Sequence, residues 1–175
     1  MESLVFLKRE IDKLDISPTN YQLAVERYKA VGKSIEEYLK KEYGLEVHIY
    51  PQGSFKIGTV IHPADRDDGY DIDLVCEVQQ AKYKITPQQL KEMIGQALKS
   101  DSVYKDMIDK EGRRCWTILY KEQNGIKFHI DVLPSVPENI DIIEDTTIAT
   151  TTRKKENNVV KGYYWDSTNP IAYAL

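Results

Sequence analysis

The stretch "PQGSFKIGTVIHPADRDDGYDIDLVCEV", Pro51 to Val78, decides how this chain is read. A Gly-Ser turn precedes Asp65, Asp67, Asp68, Asp71 and Asp73, and an apolar strand follows them. Carboxylates crowded in this way repel one another, so the cluster points to a cation as its partner. In "YDIDLVCEV" the side chains alternate, with Ile72, Leu74, Cys76 and Val78 on one face and Asp71, Asp73, Val75 and Glu77 on the other. Asp71 and Asp73 therefore project together.

Downstream, "RRCWTILYKEQNGIKFHIDVLPSV" reads as a β-hairpin around Asn124-Gly125, the pair favoured in a two-residue type I′ turn. Its second strand places Ile126, Phe128, Ile130 and Val132 opposite in direction to Lys127, His129, Asp131 and Leu133. A two-residue loop predicts the pairs Asp131 with Ile118 and His129 with Tyr120. Asp131 would then be a carboxylate on a largely apolar face, a costly position unless other charged partners join it.

Helical signals surround this pair of strands. Leu4, Leu7, Ile11 and Leu14 recur at helical spacing, and Ser17-Pro18-Thr19-Asn20 then offers caps for a longer helix. That second helix carries its apolar stripe through Tyr21, Val25, Tyr28, Val31, Ile35, Tyr38 and Leu39, with Gly44 where a C-terminal cap belongs. "EVHIY" reads as a short strand, and Ser54 as the cap of a short helix through "FKIGTVI". Thr86-Pro87-Gln88-Gln89 is a capping box that opens a third long helix with Leu90, Met93, Ile94, Ala97 and Leu98 on one side. The tail "KGYYWDSTNPIAYAL" reads as the approach to one more helix, capped near Thr168 or Asn169.

A chain of 175 residues, 41% hydrophobic and 30% charged, has room for one filled core and at most a partial second domain. No apolar run approaches the roughly 18 residues of a membrane helix, and "MESLVFLKRE" has neither signal nor anchor character. A cytoplasmic location without membrane contact is the expectation. Cys76 and Cys115 fall in predicted strands and read as reduced core residues. The formal charge of −4 argues against a face for duplex nucleic acid, though divalent cations would still let the carboxylates accept single nucleotides.

Three parts then combine. Two divalent ions about 4 Å apart need carboxylates converging from rigid elements, and such a pair supports an in-line phosphoryl displacement. Asp71 and Asp73 on one strand and Asp131 on another supply them, while the Gly53-Ser54 turn offers backbone N–H groups and a hydroxyl to terminal phosphates.

Gly53-Ser54, Asp71-Ile72-Asp73-Leu74 and Ile130-Asp131-Val132 resemble the GS…DxD…D pattern of polymerase-β-like nucleotidyltransferases. More narrowly, "QGSFKIGT…DGYDIDLV…HIDVLPSVP…STNP" is similar to the CD-NTases, the cGAS- and DncV-like bacterial synthases of cyclic oligonucleotides. The resemblance implies an α+β core, a mixed β-sheet with helices packed mainly on one side. It implies transfer of a nucleotidyl group from an NTP, with ATP expected, to a hydroxyl, in second-messenger synthesis for antiphage defence. Asp71, Asp73 and Asp131 would be both catalytic and metal-binding, with two Mg²⁺ ions, or Mn²⁺ in their place. Gln52, Gly53 and Ser54 would hold the nucleotide.

Under the same resemblance, residues 1–145 form the catalytic core and 146–175 start a truncated C-terminal helical lobe. Turnover would then call for a helical-lobe partner, and without that lobe the tail aromatics Tyr163, Tyr164, Trp165 and Tyr173 would favour self-association or a partner. Two other readings stay open: a non-catalytic nucleotide-binding or interaction module, and a nucleotidyltransferase acting on RNA, protein or a small molecule.

Plainer readings weigh on the neighbours of these residues. An EF-hand starting at Asp65 fails, because its glycine and glutamate positions hold Tyr70 and Cys76. Asp65, Asp67 and Asp68 therefore read as solvated loop carboxylates. His129 is expected to face Tyr120, with support of the Asp131 site as the sharper alternative, and Arg66, Arg113 and Arg114 to be surface residues with phosphate holding as theirs.

Overall fold

The structure, a computed structural model, describes residues 16–57, 69–123, 126–142 and 145–172. The expected first helix, the loop carboxylates Asp65, Asp67 and Asp68, the remainder of "FKIGTVI" past residue 57, and the Asn124-Gly125 turn lie outside the described residues.

Helix α1, Pro18–Tyr43, starts and stops where its end residues dictate. The Ser17 side chain accepts from the Asn20 N–H at 3.2 Å, and Pro18 fills the first turn, where no N–H is needed. Gly44 adopts φ 67° and its N–H caps the last carbonyls, a left-handed conformation that suits glycine. Strand β1, Val47–Gln52, leads straight into the short helix α2, Gly53–Ile57. This helix begins two residues earlier than expected, so Ser54 sits inside it and does not precede it as a cap. Strand β2 is Gly69–Val78 and helix α3 is Pro87–Ser100. The capping box forms as read: the Gln89 N–H donates to Thr86 Oγ1 at 3.2 Å, and the Thr86 N–H to Gln89 Oε1 at 2.9 Å.

Four more strands complete one sheet: β3 at Trp116–Gln123, β4 at Ile126–Pro137, β5 at Ile148–Glu156 and β6 at Val159–Thr168. The order is β1-β2-β4-β5-β6, with β3 also on β4. Only β2 and β4 run parallel; every other pair is antiparallel. Strand β4 is long enough to pair with β3 along Ile126 to Val132 and with β5 along Ser135 to Pro137. The far edge of β3 is partly covered, since the Leu119 N–H donates to the Met107 carbonyl and the Asp109 N–H to that of Thr117.

Two expectations change here. The hairpin register is one residue off: Asp131 pairs with Thr117 and His129 with Leu119. Gln123 pairs with Ile126 and Tyr120 with Phe128, so β3 uses three steps where β4 uses two, and the extra residue is a β-bulge. The domain boundary at 145/146 also moves. Residues 148–168 are β5 and β6 of the same sheet, and Ala149 belongs to its main core. Asn169 does cap the turn that follows, accepting from the Ala172 N–H at 2.9 Å.

Helices α1 and α3 cover the same face of the sheet. Val31, Ile35 and Leu39 of α1 and Leu90, Ile94 and Leu98 of α3 pack on Ile72, Leu74 and Cys76 of β2 and Phe128, Ile130 and Val132 of β4. The mixed sheet with helices mainly on one side is therefore as expected. The opposite face holds only a small apolar cluster, Val75, Leu133 and Ile148 with Tyr50 and Cys115 beside it. Asp71 and Asp73 alternate with the core residues of β2 and so belong to this second face. Among the described residues no helix is long and apolar enough to cross a membrane.

Candidate active site

The parallel pairing of β2 and β4 brings the aspartates together. Asp73 is the register partner of Asp131, and Asp71 that of His129. Partners in adjacent strands point to the same side of a sheet, so three carboxylates and an imidazole share one patch. Apolar residues alternate with them and are fully buried, as at Ile72 and Ile130, which prevents the patch from turning inward.

Each carboxylate has a different setting. The Thr117 hydroxyl donates to Asp131 Oδ1 at 2.5 Å, a contact that exists only because of the β3 bulge. His129 Nδ1 lies 3.2 Å from Asp71 Oδ1, so the histidine touches the site and does not face Tyr120 as expected. Asp71 is the outermost group, with 79% of its side chain exposed. Asp73 is the most enclosed, and burial followed by the charges of Asp131 and Asp71 pushes its carboxyl above the ordinary range. The same charges act on Cys115, where burial above all, then Asp131 and Asp73, raises the thiol to about 12. Such a thiol stays protonated and is no nucleophile.

The Gly-Ser segment approaches from the other side of β2. Gln52 pairs with Asp73 across β1 and β2, and Gly53 follows with φ 62°. A Cβ built on Gly53 would stand 2.6 Å from Asp73 Oδ2. Both the backbone conformation and the lack of room demand glycine at this position.

The donor set suits a hard divalent cation, since three carboxylates offer oxygen ligands and the electrostatic strain at Asp73 is what such a cation relieves. Thr117 and His129 each engage one oxygen of their aspartates, which leaves the second oxygen of each for a ligand. Among the described residues no three His, Cys, Asp or Glu side chains are already gathered as a metal cage. The fit is therefore one of donor chemistry and strand placement.

The residues 47–134, which contain β1 to β3, most of β4 and all six of the expected site residues, match the family described as cyclic GMP-AMP synthase DncV-like, nucleotidyltransferase domain. The chain belongs to this family. Among curated DncV-like relatives it is 32% identical over 122 residues to the cyclic dinucleotide synthase CdnG of Bradyrhizobium diazoefficiens, and 24% identical over 128 residues to a c-di-GMP synthase of Roseivirga ehrenbergii. The matched parts are 70% and 73% of this chain, but only 27% and 32% of those relatives.

Solved structures agree on the fold. The Bradyrhizobium diazoefficiens CD-NTase CdnG in complex with GTP superposes with a TM-score of 0.71 at 25% identity, covering 93% of this chain and 42% of that one. Vibrio cholerae DncV cyclic AMP-GMP synthase with a linear intermediate gives 0.67 at 14% identity, covering 91% and 55%.

Two participants escaped the reading of the DncV-like sequence. Thr117 is one residue from the position predicted opposite Asp131, and a bulge leaves no compositional mark. Lys91 lies on the buried side of α3 with its ammonium donating to the carbonyls of Gly112 and Arg113 at 2.7 and 2.9 Å. A lone lysine beside the apolar stripe reads as a solvated residue until its partners are known.

Proposed function

We propose that this chain is the catalytic core of a Mg²⁺-dependent nucleotidyltransferase that builds a cyclic dinucleotide from nucleoside triphosphates. The observation that carries the reading is the register pair Asp73 and Asp131 on parallel strands, with Asp71 beside them and Gly53 packed against Asp73. Membership of the DncV-like family and the identity to CdnG support it. The partial coverage of those relatives leaves the activity of this chain by itself to experiment.

In this reading the Gly53-Ser54 segment and Gln52 hold the donor's phosphates on the β1 side of β2. Asp71, Asp73 and Asp131 would hold two divalent ions, which would supply positive charge to the transferring phosphoryl group. Thr117 fixes the rotamer of Asp131, so that its other oxygen faces the attacking hydroxyl. His129 orients Asp71 in the same way. The product would serve as a second messenger, with antiphage defence the setting that the resemblance implies and GTP or ATP as substrates.

Incubation with GTP, ATP and Mg²⁺, followed by measurement of pyrophosphate and chromatography of the nucleotides, tests this. Release of pyrophosphate by the wild-type chain and its loss in Asp73→Asn are expected. Equal nucleotide turnover by the two proteins would overturn the assignment. A nucleotide-binding module without turnover is the reading that would take its place. It predicts thermal stabilisation by GTP and Mg²⁺ without pyrophosphate.

A further inference from the structure

The Gly-Ser segment cannot place itself. Helix α2 has five residues, well short of the roughly 12–15 that sustain a helix in water, so its position must come from contacts with the rest of the fold. Gly53 lies against the Asp73 carboxylate but has no side chain to hold with. Lys56 is exposed and rests its ammonium 5.8 Å from the centre of the Tyr50 ring. Phe55, buried to 4% exposure in the main core, is therefore the anchor.

Phe55 is held by α1. Its ring lies flat on that of Tyr21, with centroids 4.9 Å apart and planes 3° from parallel, and it meets Tyr28 edge-on at 6.3 Å and 78°. Tyr21 and Tyr28 are two helical turns apart and share a face. Tyr21 heads the apolar stripe of α1, yet it is 43% exposed and stands outside the buried core, so it covers Phe55 from the solvent side. Its own place is fixed by the start of the helix: the Ser17 side chain accepts from the Asn20 N–H, and the Tyr21 N–H donates to the Ser17 carbonyl at 2.9 Å.

Phe55 adjoins Ser54, so a loosened stack lets Gly53 and Ser54 swing relative to Asp73. A ligand that needs the segment in place binds with an affinity reduced by the fraction of molecules that have it there. Once that ligand is bound, the segment is in place and the reaction starts from the same complex. Loosening the stack should therefore raise KM and spare kcat.

We propose that Tyr21 is a positioning residue for the donor's phosphates: it holds Phe55, and through Phe55 keeps the Ser54 hydroxyl and the Gly53-Ser54 backbone in place beside Asp73. The role in phosphate binding rests on the nucleotidyltransferase reading above, whereas the coupling of Tyr21 to Gly53-Ser54 does not. The family match begins at residue 47 and so assigns Tyr21 no role.

Amide hydrogen exchange over residues 53–57 in the unliganded protein, followed by NMR, tests the coupling alone. Loss of one aromatic pair corresponds to about three- to tenfold in an equilibrium. Exchange should quicken by about that factor in Tyr21→Ala and return to the wild-type rate in Tyr21→Phe, which keeps the ring, with Tm little changed in either because Tyr21 is outside the core. The Kd of GTP with Mg²⁺ by calorimetry, and KM where turnover is seen, should rise by the same factor in Tyr21→Ala, with kcat and guanosine binding unchanged and Tyr21→Phe restoring both. Phe55→Leu removes the stack but keeps an apolar side chain in the core; it should show the same rise, and adding Tyr21→Ala to it should add little. Unchanged exchange, or fully additive effects of the two substitutions, would overturn the coupling. Faster exchange with unchanged GTP affinity, or a loss in kcat alone, would overturn the role in phosphate binding. A wild-type chain that neither binds GTP nor releases pyrophosphate would overturn the nucleotidyltransferase reading and the phosphate role with it, while the exchange rates still decide the coupling.

Discussion

Thr117 shows how much depends on one hydroxyl. Its 2.5 Å contact with Asp131 restricts a carboxylate that would otherwise rotate freely, and takes one of its two oxygens out of competition for a ligand. Hydrogen bonds to charged groups contribute about 1.5–3 kcal/mol, which corresponds to roughly ten- to a hundredfold in rate if the bond acts in the transition state. Thr117→Val is therefore expected to lower kcat by about that factor with KM little changed, and Thr117→Ser to restore most of it. A Val variant as fast as the wild type would remove Thr117 from the site. Gly53 shows the converse, a position where the side chain must be absent because the Asp73 carboxylate fills its space.

At the level of elements, α3 does more than cover the sheet. Lys91 reaches from its buried side to the carbonyls of Gly112 and Arg113, and Trp116 Nε1 donates back to the Lys91 carbonyl at 2.9 Å. Glu111 joins them, 3.7 Å from Lys91 and bonded to Arg153 and Tyr163. Helix α3, the loop ahead of β3, and the β5-β6 hairpin are thus bolted at one point, just before the strand that carries Thr117. Lys91→Met leaves two carbonyls and part of Glu111 without their donor and should cost about 3 kcal/mol in urea unfolding.

The same lysine makes a prediction about pH. Burial, partly offset by Glu111, lowers its ammonium from 10.5 to about 8. Between those values the unfolded chain binds more protons, so this group makes stability rise with pH across that window. Wild type minus Lys91→Met should therefore grow from pH 8 to pH 10. Cys76, pushed up by burial, produces the opposite slope in both proteins and cancels in the difference, whereas Cys115 interacts with Lys91 and is taken out by making both measurements on a Cys115→Ser background. A flat difference would mean that Lys91 holds its proton in the fold as firmly as in the unfolded chain, so that burial does not lower its pKa.

Across the whole molecule, the sheet separates two tasks. One face is filled by α1 and α3 and supplies the stability; the other exposes carboxylates that oppose it. A cation with a nucleotide reconciles them. At about a hundredfold excess over Kd, linkage adds roughly 2.7 kcal/mol, or about 5–10 °C in Tm for a chain of this size. GTP with Mg²⁺ should produce such a shift. Asp73→Asn should melt higher than the wild type without ligand, because a repelled charge is gone, and lose the Mg²⁺-dependent part. The repulsion it relieves is present above the raised folded pKa of Asp73 and fades as pH falls through it. An identical Mg²⁺ shift in both proteins would disconnect Asp73 from the cation.

Local order along the chain determined most of the elements and the identity of the aspartates. Ser17 and Gly44 bound α1, Thr86 and Gln89 open α3, and the alternation in "YDIDLVCEV" sends Asp71 and Asp73 to one face, because capping and side-chain alternation act within a few residues. What the sequence could not express is whatever depends on pairing between distant segments. A one-residue bulge put Thr117, and not Ile118, beside Asp131. Residues 148–168 joined the central sheet because β4 runs on past the end of its pairing with β3 and has a free edge there. Lys91 was buried by carbonyls more than twenty positions away. Register and burial are settled by the partner strand, and no single segment contains its partner.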